Sequence, residues 1–146
     1  MQQLNSFVCS VESRVNAVLR DVQSIVSRLC EVNAEVAGFQ VRIETQQART
    51  AHPDLLIFPI NDLHTVIATF NTDLIKRLAI AGVQLDSIRD DVIAAKAEFE
   101  PSPSSECVFV AVDKLIAGLD NICRSIANSL KSLSVTLRSL QHTAIY

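Results

Sequence analysis

Residues 6–40, SFVCSVESRVNAVLRDVQSIVSRLCEVNAEVAGFQ, decide the fold. Val8, Val11, Val15, Val18, Val22, Ile25, Leu29, Val32, Val36 and Phe39 follow one another at alternating steps of three and four, and no proline interrupts them. That alternation is a heptad seam, one apolar stripe along a long helix. Glu12, Arg14, Arg20, Asp21, Arg28, Glu31 and Glu35 mark the solvated side. Leu19 and Val26 widen the stripe, so this helix is expected to meet more than one neighbour. An amphipathic rod of this length cannot shelter its own stripe. The rest of the chain must supply partners.

Two further rods answer it. Leu63, Ile67, Phe70, Leu74, Leu78, Ala81, Leu85, Ile88, Val92, Ala95 and Phe99 mark a second seam, with a local slip near Leu74 to Leu78. Its phase runs through Gly82, which favours one helix over two. Val108, Val112, Leu115, Leu119, Ile122, Ile126, Leu130, Leu133, Leu137 and Leu140 mark a third, with a four-residue stutter between Ile126 and Leu130. The breaks are equally legible. Pro53 and Pro59 bracket Leu55-Leu56-Ile57-Phe58, and Pro101-Ser102-Pro103 offers Ser102 as an N-cap with proline at the first helical position. The expected architecture is all-α: an antiparallel up-down-up bundle with helices over about 6–47, 62–99 and 103–141. An apolar, proline-bounded connection fills 51–61 in one domain of 146 residues. Each helix is expected to run about 50 Å. The alternative is four helices, with a break at Gly82.

Composition agrees: 49% hydrophobic residues, no Trp, three Gly and four Pro favour helices packed through Val, Leu, Ile and Ala. The net charge of −3 and a single basic pair, Lys76-Arg77, argue against nucleic acid. No run of apolar residues is long enough for a transmembrane segment. No signal-like leader opens the chain, which suits a cytoplasmic start or a mature secreted form.

Cys9, Cys30, Cys107 and Cys123 are an even set in a short chain, which favours disulfides and a location outside the cytosol; four buried thiols are the alternative. Cys9 and Cys30 lie about 31 Å apart on one helix, too far to pair with each other. Three helices imply Cys9–Cys107 and Cys30–Cys123, with a stagger of about 7 Å to absorb. Four helices would invert the pairing. Metal-ligand spacing is missing, and neither a cofactor nor a metal is expected. His52, His64 and His142 stand apart, and His64 beside Asp62 reads as a helix-start arrangement. No enzymatic constellation emerges.

What remains is surplus grease. Leu19, Val26, Val41, Ile43, Val66, Ile75, Ile80, Val83, Ile93, Phe109, Val110, Ile116 and Val135 lie outside the three seams. A wider core with a cavity, a homodimer, or adsorption to an apolar surface would each absorb them.

Arg20-Asp21-Val22 with Ile25, Leu29, Val32, Val36 and Phe39 resembles the opening helix of the fungal hydrophobic surface-binding protein A and cell-wall mannoprotein family. Val92-Ile93-Ala94-Ala95-Lys96-Ala97-Glu98-Phe99 is similar to that family's Leu/Val–Ala–Lys–Lys–x–x–Phe helix end, with Ala95 at the first lysine. The resemblance implies a secreted or cell-wall, non-enzymatic bundle that holds fatty acids or adsorbs to hydrophobic surfaces. With the apolar surplus, it makes an apolar small molecule or lipid the expected partner. Leu55, Leu56, Ile57, Phe58 and Ile60, with Phe70 and Phe99, are the candidate ligand contacts. The competing expectation is a helical interaction or scaffold protein that dimerises or docks a protein partner.

Overall fold

The computed structural model describes residues 2–49 and 60–145. Three helices fill them. α1 spans Gln2–Arg49. α2 is one rod in three segments: α-helical Ile60–Thr69, π-helical Phe70–Lys76 and α-helical Arg77–Glu98. α3 spans Pro103–Ile145. All three pack on one another around a single hydrophobic cluster. The expected all-α bundle of three long helices is what the chain forms. α2 runs without a break through Gly82, so the four-helix alternative is set aside.

α1 begins ahead of the expected limit because its seam does. Leu4 and Ile43 are buried and continue the α1 stripe one step beyond Val8 and Phe39. At 48 and 43 residues, α1 and α3 reach about 72 and 64 Å. α2 begins at Ile60, two residues ahead of the expected start at 62, a difference within ordinary helix-end fraying. The connection 51–59, with Leu55, Leu56, Ile57 and Phe58, lies outside the described residues.

The α2–α3 turn is built as its residues dictate. Phe99 leaves the helix with extended backbone (φ −83°, ψ 137°) while its N–H still donates to Ala95 at 3.0 Å. Ser102 caps α3: its Oγ accepts from the Ser105 N–H at 3.1 Å, and Ser105 Oγ accepts from the Ser102 N–H at 3.0 Å. This is a reciprocal capping box with serine in the place usually held by glutamate. Pro103 occupies the first helical position, where its missing N–H costs nothing. The buried Ser105 hydroxyl has its partners in this turn, including the Glu100 carbonyl at 3.2 Å.

Two seams need correction. In α3 the interior takes Phe109, Val112, Ile116, Leu119, Ile126, Leu130, Leu133, Leu137 and Leu140, with the half-buried Cys123 between. That is unbroken heptad spacing with no stutter. Leu115 and Ile122, expected inside, are 48% and 41% exposed. In α2, Val66 is buried and Ile67 only partly so. The slip near Leu74 has a structural cause. From Phe70 to Leu74 to Leu78 the seam takes two steps of four, one residue more than a heptad holds. The π segment absorbs that residue, so Leu63–Phe70 and Ala81–Val92 face the same core. Backbone angles stay right-handed helical at both joints (Thr69 −60°, −45°; Arg77 −67°, −37°).

The π segment yields a test. Deleting the exposed Asn71 restores plain heptad spacing and is expected to keep stability within about 1 kcal/mol of wild type in a denaturant titration. Deleting the exposed Gln84 instead rotates one flank of the seam out of the core, at roughly 2 kcal/mol for each displaced side chain, and is expected to unfold the bundle. Equal damage from both deletions would refute the insertion reading.

Candidate interaction surface

The rods are held in register at one end by three phenyl rings. Phe7 of α1, Phe99 at the end of α2 and Phe109 of α3 lie with centroids 6.2 Å apart in every pair and planes tilted by 47–53°. Lys96 Nζ sits 6.0 Å above the Phe109 ring. This layer fixes the level of α1 against α3: residue i of α1 stands beside roughly residue i + 101 of α3. Val15 thus shares a level with Ile116, Val22 with Cys123 and Leu29 with Leu130.

The expected disulfides are absent from this arrangement. Cys30 lies level with residue 131, about eight residues or 12 Å beyond Cys123. Cys9 and Cys107 are exposed on outward positions of their helices. Neither Cys9–Cys107 nor Cys30–Cys123 forms, and all four thiols are free. The unequal spacing that tilt was expected to absorb is instead preserved by rigid, layered packing.

Three grooves separate the three rods, and their flanks differ. Between α1 and α2, Arg14 pairs with Asp91, Arg28 Nε reaches Asp73 at 3.4 Å, and Arg77 Nη2 donates to Ser24 Oγ at 3.1 Å. Between α2 and α3, Lys96 Nζ pairs with Asp113 at 2.7 Å and Arg89 Nη2 with Asp120 at 3.6 Å. Among the described residues every ion pair between helices therefore reaches α2. Exposed pairs of this kind contribute about 0–1 kcal/mol each, so they act more on helix order and register than on stability.

The α1–α3 groove is of another kind. Arg14 and Arg28 occupy the α1 flank that faces α2, so the opposite flank (Glu12, Leu19, Val26, Asn33, Gln40) faces α3. By the same reasoning Asp113 and Asp120 turn the other α3 flank (Val108, Leu115, Ile122, Ser129, Thr136) toward α1. Leu19 and Val108 are partly buried, while Val26, Leu115 and Ile122 stand exposed. Glu12 carries the one charge among these ten positions. The next row outward is uncharged as well: Cys9, Asn16, Gln23, Cys30 and Ala37 on α1, and Ala111, Gly118, Ser125 and Ser132 on α3. A neutral face with an aliphatic centre runs along the two parallel helices.

Other apolar residues are more scattered. Ile75 and Ile80 lie exposed on α2 with Val83 at the rim of the α1–α2 groove, broken from Ile93 by Asp86 and Asp90. Open clefts of ≈ 500 and ≈ 360 Å³ follow the α1–α2 groove, with Glu35, Arg42 and Arg14 in their walls, and one of ≈ 400 Å³ lies beside the aromatic layer, walled by Lys96 and Asp113.

Of the expected ligand contacts, Phe70 and Phe99 do not lie together. Phe70 is buried in the core, whereas Phe99 belongs to the aromatic layer about 43 Å away along α2. Leu55, Leu56, Ile57 and Phe58 are outside the described residues, and Ile60 opens α2. Of the apolar surplus, Ile43, Val66, Phe109 and Ile116 are core residues. Among the described residues no three His, Cys, Asp or Glu side chains group as metal ligands, and no helix is long and apolar enough to cross a membrane. Comparison with protein families, with curated proteins and with solved structures returned no match.

Cys123 differs chemically from the other thiols. Burial, and secondarily the nearby Asp120 carboxylate, pushes its pKa up. Since the thiolate is the nucleophile, a raised pKa means less reactive form at a given pH. A disulfide-exchange reagent at pH 8 is therefore expected to consume three thiols quickly and the fourth slowly, with the slow phase missing in Cys123→Val. Four equal rates would contradict the packing of α3.

Proposed function

We propose that this protein is a non-enzymatic helical interaction module whose working surface is the neutral α1–α3 face. The observation that carries the reading is the asymmetry of the three grooves: two are flanked by ion pairs and one by exposed aliphatics. Fully burying an exposed large aliphatic side chain contributes about 1.5–3 kcal/mol, and these side chains, 39–48% exposed, leave roughly half of that for a docked surface to recover. Helix-in-groove recognition uses aliphatic anchors at three- and four-residue spacing along such a groove. Glu12 and the surrounding amides supply polarity at its edges without opposing an apolar partner at the centre.

A second reading is favoured by the same exposed strip: a secreted or cell-wall protein that adsorbs to lipid or another hydrophobic surface, as members of the fungal surface-binding family do. Val26, Leu115 and Ile122 face outward, where a surface can reach them. Lipid extraction of the purified protein, with a fatty-acid displacement assay, separates the readings. Bound or displaceable fatty acid supports the second, and none supports the first.

The choice of face is tested on a hydrophobic-interaction column. The double variant Leu115→Glu/Ile122→Glu is expected to elute at markedly higher salt than wild type, with an unchanged helical spectrum. Val83→Glu, at the rim of the α1–α2 groove and away from this face, is expected to change retention little. The reverse pattern would move the working surface to α2 and refute the proposal.

A further inference from the structure

The partner for which the α1–α3 face is best fitted is a second copy of the same chain. We infer an antiparallel two-fold dimer, α1 against α1 and α3 against α3, with its axis close to the levels of Leu19 and Ile122, which lie about 3 Å apart. The inference rests on the proposal that this face is the working surface, and goes beyond it by naming the occupant.

Four observations carry it. The first is charge. The chain is net negative, yet this face is neutral apart from Glu12, so two copies can approach here without like-charge repulsion. An antiparallel arrangement sets the two Glu12 side chains about 21 Å apart along the axis, whereas a parallel one would bring them level.

The second is reach. Within this sequence the stretch between α1 and α2 is ten residues long, tethered at both ends to one end of the bundle. Doubling back, it extends about 17 Å at most. Val26 lies about 35 Å from the end of α1 and Leu19 further still. That connection cannot cover the strip.

The third is area. From Ala111 to Ser132 the neutral face is about 32 Å long, and two adjacent helices make it about 20 Å wide. A second copy would remove roughly 600 Å² from each chain, about 1,200 Å² in total, within the range of specific interfaces.

The fourth is symmetry. Ile122 lies midway between Leu115 and Ser129 on its flank, so a two-fold axis there sets Ile122 against its own copy. The same axis brings Gly118 of one copy beside Ser125 of the other, where small side chains allow helices to close up. Cys9 and Cys30, both exposed and three heptads apart on one face of α1, are centred within about one residue of Leu19. Cys9 of one copy therefore lies opposite Cys30 of the other.

Analytical ultracentrifugation with cross-linking tests the arrangement on the full chain. Wild type is expected to sediment as a dimer, and Ile122→Glu to weaken association by about 30-fold or more. Gly118→Lys guards against a folding artefact. A Cβ at Gly118 meets nothing within 4 Å in the monomer, so this variant is expected to fold normally and fail only to dimerise. Val83→Glu is expected to remain dimeric. A short bis-maleimide is expected to yield covalent dimer in wild type and Cys107→Ser, but not in Cys9→Ser or Cys30→Ser. Wild type monomeric up to about 0.1 mM would overturn the dimer. If the column retention still depends on Leu115 and Ile122, the interaction reading survives that result. Dissociation by Val83→Glu, or cross-linking independent of Cys9 and Cys30, would overturn the assigned face.

Discussion

Everything in this fold depends on the seam of α1. From Leu4 to Ile43 its buried side chains keep one phase, which draws a single stripe along a rod of about 72 Å. Two other rods must match that stripe level for level, because each helix alone would expose its apolar edge. α3 matches it without interruption. α2 carries one residue too many and spends it in the π segment at Phe70–Lys76, where Phe70 and Leu74 still point inward. The Phe7–Phe99–Phe109 layer then fixes the axial level of all three helices.

That constraint leaves the surface unequal. In an up-down-up arrangement α2 is antiparallel to both neighbours and α1 runs parallel to α3. The charged residues follow this division, joining α2 to α1 and to α3 through Arg14, Arg28, Arg89 and Lys96. The parallel groove between α1 and α3 receives aliphatics and uncharged polar side chains instead. Shared packing explains the core; it gives no reason for Leu115 and Ile122 to face water.

Much of this was legible in the chain itself. The α1 seam was readable because nothing competes with it, and Ser102-Pro103 announced the start of α3. The phase of α3 was not, because apolar residues adjoin at Leu115-Ile116 and again at Ile122-Cys123. Either member of each pair fits a heptad, and choosing the more hydrophobic Ile122 over Cys123 shifts the stripe by one position. Only packing against α1 decides between them, and it turns Leu115 and Ile122 outward. The surface strip was hidden by the same ambiguity. The cysteines misled for a different reason: an even count suggests bridges, but pairing depends on the axial offset of two helices. That offset is set by a three-ring layer drawn from distant parts of the chain. At Leu74 the periodicity showed a slip without showing how the backbone accommodates it.

The bundle thus offers one face that the connection between its first two helices cannot reach, centred close to Leu19 and Ile122. Spin labelling at Cys30 tests this most directly, in a chain where Cys9→Ser, Cys107→Ser and Cys123→Val leave no other thiol. An antiparallel pair centred on that level places the two labels about 33 Å apart along the rods, and pulsed dipolar spectroscopy is expected to find a single distance in that region. A distance under about 20 Å would mean a parallel pairing, and no dipolar modulation would mean that the face stays empty; either result contradicts the account.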